Sequence, residues 1–156
     1  MPANALVLRI SLETGLRIGD CLALTTAQVQ KQRITIHEKK TGKSKRIRLS
    51  NALRSEILAQ AGSVYAFEHR TDPHRHRTRQ AVFADLKRAA RAFRVPVNVA
   101  PHTMRKLYAK TLFDMTGDMD AVRTALNHDR ITTTIIYALC DRLGDLPPEK
   151  KKSTAR

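Results

Sequence analysis

Tyr137 is a candidate nucleophile, because it ends the segment HDRITTTIIYA (residues 128–138) nine residues after His128. A phenol can attack an anionic phosphodiester where cations neutralise the phosphate and a base takes the phenol proton. Taken alone, a tyrosine in an apolar segment is more often a core residue than a nucleophile. The interpretation therefore depends on whether the chain supplies basic partners elsewhere.

Three other segments supply side chains that suit a phosphate. TGLRIGD places Arg17 at a predicted helix start, directly after a glycine break. PHTMRK places His102 and Arg105 three residues apart, on one face of a predicted helix whose N-terminus favours an anion. Lys40 stands before the TG of a predicted hairpin turn. These residues and His128 could together surround a phosphate.

Each cation also has an ordinary structural interpretation. Arg17 could be a solvated surface residue, His102 a helix cap, and His128 a histidine in a turn. Lys40 is one of several lysines in its segment and carries little information alone. Arg105 is the hardest to explain in this way, because burying an unpaired guanidinium in an apolar helix is costly.

Composition favours a single domain that binds a polyanion. The chain has 156 residues, with 29 Lys and Arg against 14 Asp and Glu, a net charge of +15. Such an excess predicts nucleic acid as the partner. Cys21 and Cys140 form no CxxC pair and the histidines lack metal spacing, so no metal or other cofactor is expected. The chain shows neither a membrane-spanning apolar run nor a signal peptide, which predicts a cytoplasmic protein.

Hydrophobic periodicity predicts a mainly α fold with a small antiparallel β-sheet of two or three strands (α+β). The sheet rests on a hairpin signal, in which Ile34 and Ile36, then Ile47 and Leu49, alternate with polar residues around KKTGK. VYAF (64–67) is a candidate third strand, and Phe93, Leu107 and Met115 are expected to face inward from their helices. Helices are predicted at about 4–13, 18–24, 50–62, 79–93, 102–115, 119–126 and 131–139.

The motifs resemble those of a known family. In order, TGLRIGDCLAL, KKTGKSKRIRL, PHTMRK and LNHDRITTTIIYA resemble the boxes of the tyrosine recombinase, or phage integrase, family, from about residue 10 to residue 140. LNH stands where the family usually has LGH. The resemblance implies a tyrosine recombinase catalytic-domain fold with the active-site set Arg17, Lys40, His102, Arg105, His128 and Tyr137.

The resemblance also implies a role for each residue. Arg17 and Arg105 would bind the non-bridging phosphate oxygens, and Lys40 would protonate the leaving 5′ oxygen. His102 would act as general base, and His128 would add a hydrogen bond to the phosphate. Tyr137 would become joined to the 3′ phosphate, which conserves the bond energy, so no nucleotide cofactor is needed. Lys40 is preferred because it precedes TG, with Lys39 and Lys43 as the alternatives.

The same resemblance implies double-stranded DNA as the partner and a homotetramer on that DNA. Residues 1–140 would form the catalytic domain and residues 141–156 a tail, either mobile or docked on a neighbouring protomer. The family's N-terminal core-binding domain is expected to be absent. Two alternatives to site-specific recombination stay open: DNA relaxation of the type IB topoisomerase kind, and a non-catalytic DNA-binding module.

Overall fold

The computed structural model describes residues 2–95 and 99–127. Within them the chain is mainly helical with one two-stranded antiparallel sheet, as predicted. The elements are α1 (Pro2–Thr14), α2 (Ile18–Leu22), α3 (Thr26–Val29), β1 (Ile34–His37), β2 (Ser44–Ile47), α4 (Asn51–Leu58), α5 (Arg79–Ala92), α6 (Pro101–Thr116) and α7 (Met119–Ala125). The predicted helix at 131–139 and the tail at 141–156 lie outside the described residues.

Helix α1 ends in a turn that only glycine fits easily. Its buried residues include Val7 and Ile10, and the Thr14 hydroxyl donates back to the Ile10 carbonyl. Gly15 then takes φ +68°, in the left-handed region. A Cβ at Gly15 would lie 2.5 Å from Cδ1 of Tyr108 on α6. The turn therefore needs glycine both for its conformation and for the close approach of α6.

The hairpin forms where the alternation predicts it. Ile34 pairs with Ile47 and Ile36 with Lys45, so three isoleucines and the Lys45 stem share the inward face. The strands pack into one core with α1, α2, α3 and α4, together with Phe67 and Val82. A smaller cluster of Ala109, Val122 and Leu126 joins α6 to α7. Because α6 also packs across α1, the segment of Arg17 and the segment of His102 and Arg105 become neighbours.

The predicted third strand is wrong. VYAF forms no strand: Tyr65 makes an isolated antiparallel bridge with Thr25, and the Ala66 amide donates to the Leu24 carbonyl at 2.9 Å. A single bridged residue pair is too short to form a strand. The partner segment instead begins α3, a four-residue helix that the sequence did not predict and that the Thr25 hydroxyl caps by accepting from the Gln28 amide.

Three residues predicted to face inward are exposed. Phe93 is 82% exposed, Met115 is 78% exposed and Leu107 is 39% exposed. Leu107 lies two residues before the buried Ala109, on the opposite side of α6. Phe93 occupies the C-cap position of α5, beyond the last helical turn. Met115 lies six residues after the buried Ala109, about 120° around the helix from the face that packs on the core.

Candidate functional site

A basic cleft of about 1030 Å³ lies between α2, the β1–β2 turn and the start of α6 on one side, and the segment 74–83 on the other. Among the described residues, its walls carry seven Lys and Arg side chains and a single carboxylate, that of Asp20. The cations are Arg17, Lys39, Lys40, Arg75, Arg77, Arg79 and Arg105. So many like charges in one concavity favour an anionic ligand.

Arg17 reaches the cleft from the residue just before α2. Its backbone is extended (φ −69°, ψ 144°), and its side chain is 17% exposed. The guanidinium Nη1 donates to Oε2 of Glu38 at 2.5 Å. Glu38 follows β1 and is buried, so this ion pair connects the residue before α2 to the hairpin.

Arg105 is only 1% exposed and connects three separate segments. Nη1 donates to the Gly15 carbonyl at 2.5 Å, and Nη2 donates to the Leu126 carbonyl at 2.5 Å. One guanidinium thus joins α6 to the turn before Arg17 and to the residue after α7. These bonds compensate the burial that made Arg105 stand out in the sequence.

Lys39 and Lys40 both lie in the turn after β1, and both line the cleft. Strand β1 ends at His37, so the alternation of side chains along a strand does not direct these two lysines to opposite faces. Lys43 is exposed and does not line the cleft. The Lys40 charge is among those that lower the pKa of His102.

Asp20 is a cleft residue that the sequence did not single out. It lies in α2, three residues after Arg17, and is 4% exposed. Its Oδ1 accepts a hydrogen bond from the Lys39 backbone amide at 3.1 Å, which holds the lysine turn against α2. The only sequence signal is an acidic residue in a short box otherwise occupied by apolar residues, glycine and a cation.

His102 stands at the rim of the cleft in the first turn of α6. Partial desolvation lowers the pKa of its ring below the ordinary value, and the charges of Arg105, Arg17 and Lys40 lower it further. The lowered pKa favours the neutral form of His102, which is able to accept a proton. Behind it, Thr103 orders the helix start: its hydroxyl accepts from the Ala100 amide, and its own amide donates to the Ala100 carbonyl.

Lys45, like Asp20, is a residue that the sequence did not single out, because it is one of several lysines in its segment. Its Nζ donates to the Thr14 carbonyl at 2.6 Å and lies 5.6 Å from the centre of the Tyr108 ring. Burial lowers the pKa of Lys45 to about 8, with a further lowering from Arg105. Lys45 does not line the cleft; it supports the Gly15 turn from behind.

The opposite wall of the cleft is a folded loop. Glu68 and His76 form an isolated bridge, and the Arg77 amide donates to the carbonyl of the buried Phe67 at 2.8 Å. The His76 ring meets Tyr65 edge-on, with ring centres 5.4 Å apart. The loop and the first residue of α5 thereby present a row of basic side chains to the cleft: His74, Arg75, Arg77 and Arg79. Within the described parts of the chain, no group of three acidic, histidine or cysteine residues could hold a metal ion.

The structure brings four of the six predicted site residues to one cleft: Arg17, Lys40, His102 and Arg105. His128 and Tyr137 lie outside the described residues. The Leu126 carbonyl bound to Arg105 is two residues before His128, so the chain leaves the described region beside the cleft's buried guanidinium.

Comparison with known proteins finds similar sequences among integrases and tyrosine recombinases. The model of the phage integrase family matches residues 2–142. The chain is 26% identical over 135 residues to the integrase of Escherichia phage P2, covering 86% of this chain and 37% of the relative. It is 31% identical over 153 residues to the tyrosine recombinase XerC of Erythrobacter litoralis, covering 92% of this chain and 49% of that relative. The chain thus spans less than half the length of these relatives.

Solved structures share the fold. The XerH site-specific recombinase in a post-cleavage complex with its difH substrate matches with a TM-score of 0.70 and 19% identity, over 90% of this chain and 43% of that one. The catalytic domain of bacteriophage HP1 integrase matches with a TM-score of 0.61 and 19% identity, over 97% of this chain and 84% of that one. Across the described residues, no helix is long and apolar enough to cross a membrane.

Proposed function

The chain belongs to the phage integrase family, and from this premise we propose that it performs site-specific DNA recombination by cleaving and rejoining strands through a covalent 3′-phosphotyrosine. The observation that carries the proposal is the convergence of Arg17, Lys40, His102 and Arg105 on one basic cleft. These residues come from three separate parts of the chain, and a fold gains no stability from collecting their charges in one place. Binding of a phosphodiester accounts for the arrangement.

In the proposed first step, the Tyr137 oxygen attacks the phosphorus of one DNA strand. The bond from phosphorus to the tyrosine oxygen forms as the bond to the 5′ oxygen of the next nucleotide breaks. His102, whose lowered pKa favours the neutral form, accepts the phenol proton, and Lys40 gives a proton to the departing 5′ oxygen. The product is a tyrosine ester of the 3′ phosphate and a free 5′ hydroxyl.

Arg17 and Arg105 supply the positive charge that the five-coordinate transition state needs. Removing one such group typically slows a reaction on the order of 10²–10³-fold. His128 completes the set by a hydrogen bond to the phosphate. Attack of a 5′ hydroxyl from a second duplex reverses the chemistry and exchanges strands. Two duplexes cleaved at two sites each require four tyrosines, so we propose a homotetramer on double-stranded DNA.

The proposal also assigns the domain organisation. Residues 1–140 form the catalytic domain, and residues 141–156 a tail beyond the nucleophile. The chain aligns with less than half of the length of these relatives. DNA contacts that the rest of those proteins make have no counterpart in these residues. DNA binding by this chain is therefore expected to be weak and salt-sensitive.

The test is a trapping assay at low ionic strength. Nicked duplexes are tiled across the DNA that flanks the gene, so that cleavage near the nick releases a short strand and traps the covalent adduct. Wild type should form an adduct stable to denaturant on at least one duplex. Tyr137→Phe should form none while still binding DNA, and Tyr108→Phe, which removes a phenol hydroxyl elsewhere, should behave as wild type.

Three results distinguish the alternatives. DNA binding with no adduct on any duplex would favour a non-catalytic module. Relaxation of supercoiled plasmids that lack any trapping sequence would favour topoisomerase-like activity. An adduct that persists in Tyr137→Phe would contradict the assignment of the nucleophile.

A further inference from the structure

Glu38 is a buried carboxylate directly behind the cleft. The residue is 1% exposed and its side chain is fully buried. Its Oε2 accepts hydrogen bonds from Arg17 Nη1 at 2.5 Å and from the Thr41 hydroxyl at 3.0 Å. Its Oε1 has no hydrogen-bond partner among the described residues. A buried anion with so few partners lowers the stability of the fold, and a functional role would explain its presence.

The same residue also closes the turn that carries Lys40. Its backbone amide donates to the Lys43 carbonyl at 2.9 Å. Its carbonyl accepts from the Gly42 amide at 2.8 Å and from the Thr41 amide at 3.3 Å. The turn is therefore built on Glu38 through its main chain and held to the Glu38 carboxylate through Thr41.

One carboxylate oxygen of Glu38 contacts both Arg17 and the turn that carries Lys40. Oε2 accepts hydrogen bonds from the guanidinium of Arg17 and from the hydroxyl of Thr41, a residue of that turn. A shift of this oxygen would disturb the guanidinium of Arg17 directly and the turn that carries Lys40 through Thr41. In the proposed reaction these two cations act on the same phosphate, one on its non-bridging oxygens and the other on its leaving oxygen.

We propose that Glu38 is a positioning residue that sets Arg17 and the Lys40 turn in register for attack on a single phosphodiester. This inference rests on the proposed function. Glu38 does not touch the phosphate; it acts through Arg17 and the turn. Its negative charge also opposes DNA binding, so its removal should have opposite effects on binding and on cleavage.

The experiment compares Glu38→Gln and Glu38→Ala with wild type on a nicked duplex that traps the adduct. DNA affinity is measured separately, and the rate of adduct formation is measured at saturating protein. Both variants should bind DNA at least as tightly as wild type. At saturation, Glu38→Ala should form adduct on the order of 10²-fold more slowly, the loss expected from a misplacement of about 1 Å. Glu38→Gln, which keeps the shape but weakens a charge-assisted bond, should show a smaller loss of about tenfold.

A change of leaving group tests whether Glu38 acts through the Lys40 turn. A 5′-bridging sulfur at the scissile phosphate leaves as a thiolate and needs no proton from lysine. Most of the Glu38→Ala defect that arises from Lys40 should disappear on this substrate. A general loss of structure would slow both substrates equally.

The matched control is Glu56→Gln. Glu56 forms a two-point ion pair with Arg9 on the surface, including an Nη2–Oε1 contact of 2.9 Å, and neither residue lines the cleft. This variant should bind and cleave as wild type. If Glu38→Ala does not fold, Glu38→Gln and the sulfur substrate decide the question.

The outcomes separate the two proposals. Absence of adduct from wild type would remove the proposed function itself. A wild type that forms adduct while Glu38→Gln does so equally fast at saturation would overturn the role of Glu38 alone. The role of Glu38 would also be overturned if higher protein concentration restored the full rate to either variant, because the defect would then lie in binding.

Discussion

Both arginines of the candidate site are hydrogen-bonded to groups of the protein itself. Arg17 is paired with the buried Glu38, and Arg105 donates to the carbonyls of Gly15 and Leu126. These bonds fix the guanidinium groups, so little reorganisation is needed when a phosphate binds. They also mean that replacing either arginine affects folding as well as chemistry.

Arg17→Ala should therefore destabilise the protein. It leaves the Glu38 carboxylate buried without its cation, which typically costs about 3 kcal/mol or more. Adding Glu38→Gln should recover most of that stability but none of the activity. Urea unfolding of the three variants measures the first effect, and adduct trapping measures the second. Equal stability of Arg17→Ala and wild type would show that the ion pair does not compensate the burial of Glu38.

Lys45 makes stability depend on pH. Its pKa is about 8 in the folded protein against an ordinary value of 10.5. Between these values the unfolded chain holds the proton and the folded protein does not, so stability rises as pH increases through 8. From pH 7 to 9, the free energy of unfolding of wild type should rise relative to that of Lys45→Met by about 1 kcal/mol. Burial raises the pKa of the Cys21 thiol, so this group lowers the free energy of unfolding as pH rises above its ordinary pKa. The thiol is present in both wild type and Lys45→Met, so the comparison removes its effect. Parallel pH profiles would contradict the account.

The sequence singled out four residues that line the cleft but not the groups that hold them. Arg17, Lys40, His102 and Arg105 stand in recognisable boxes, and all four line the cleft. Asp20, Glu38 and Lys45 escaped notice because an acidic residue or a lysine in a polar segment is ordinary. Their importance lies in contacts across 19 to 31 positions of the chain, which no local pattern reveals.

At the scale of elements, the turn after α7 explains the departure from the family motif. Asn127 replaces the usual glycine of LGH and takes φ +52°. Asparagine tolerates this left-handed conformation better than other residues with a side chain. The Leu126 carbonyl just before it accepts from Arg105, so the turn positions the chain at the cleft.

Substitutions at Asn127 should follow backbone preference. Asn127→Gly should leave the melting temperature unchanged or slightly raised. Asn127→Ala should cost about 1 kcal/mol, because alanine disfavours the left-handed region. Thermal unfolding of the two variants tests this order, and a more stable alanine variant would show that the turn is not strained.

Most helices and the hairpin followed from periodicity, whereas helix α3 and the conformation of VYAF did not. Ile34, Ile36 and Ile47 alternate as expected of a half-buried hairpin, and their register is observed. Helix α3 is only four residues long, too short for a periodic signal, and depends on the Thr25 cap. VYAF has strand-forming residues, but among the described residues it forms only the isolated Thr25–Tyr65 bridge, because the segment opposite turns into α3 at Thr26.

At the scale of the whole molecule, the cleft has two basic walls of different origin. One carries the predicted site residues, and the other is the loop 68–78 with the start of α5. Arg79 packs beside α2, where a Cβ at Gly19 would lie 3.6 Å from its Cδ. A duplex whose scissile phosphate lies at Arg17 would therefore meet the loop wall with neighbouring phosphates.

Removing charge from the loop wall should change the salt dependence of DNA binding. Arg75→Ala with Arg79→Ala should reduce the magnitude of the slope of log K against log salt by up to about 2, near 0.9 for each phosphate that is no longer neutralised. Arg88→Ala with Arg91→Ala removes the same charge from α5 outside the cleft, and should leave the slope nearly unchanged. Equal changes in both double variants would indicate binding through overall charge alone.

Attack of the Tyr137 oxygen on a phosphodiester held in this cleft can be read from the trapped adduct by mass spectrometry, after digestion of protein and DNA. We expect a nucleotide joined through its 3′ phosphate to the peptide that contains Tyr137, with a 5′ hydroxyl on the released strand. Attachment to another residue, or through a 5′ phosphate, would rule out Tyr137 as the nucleophile in this reaction.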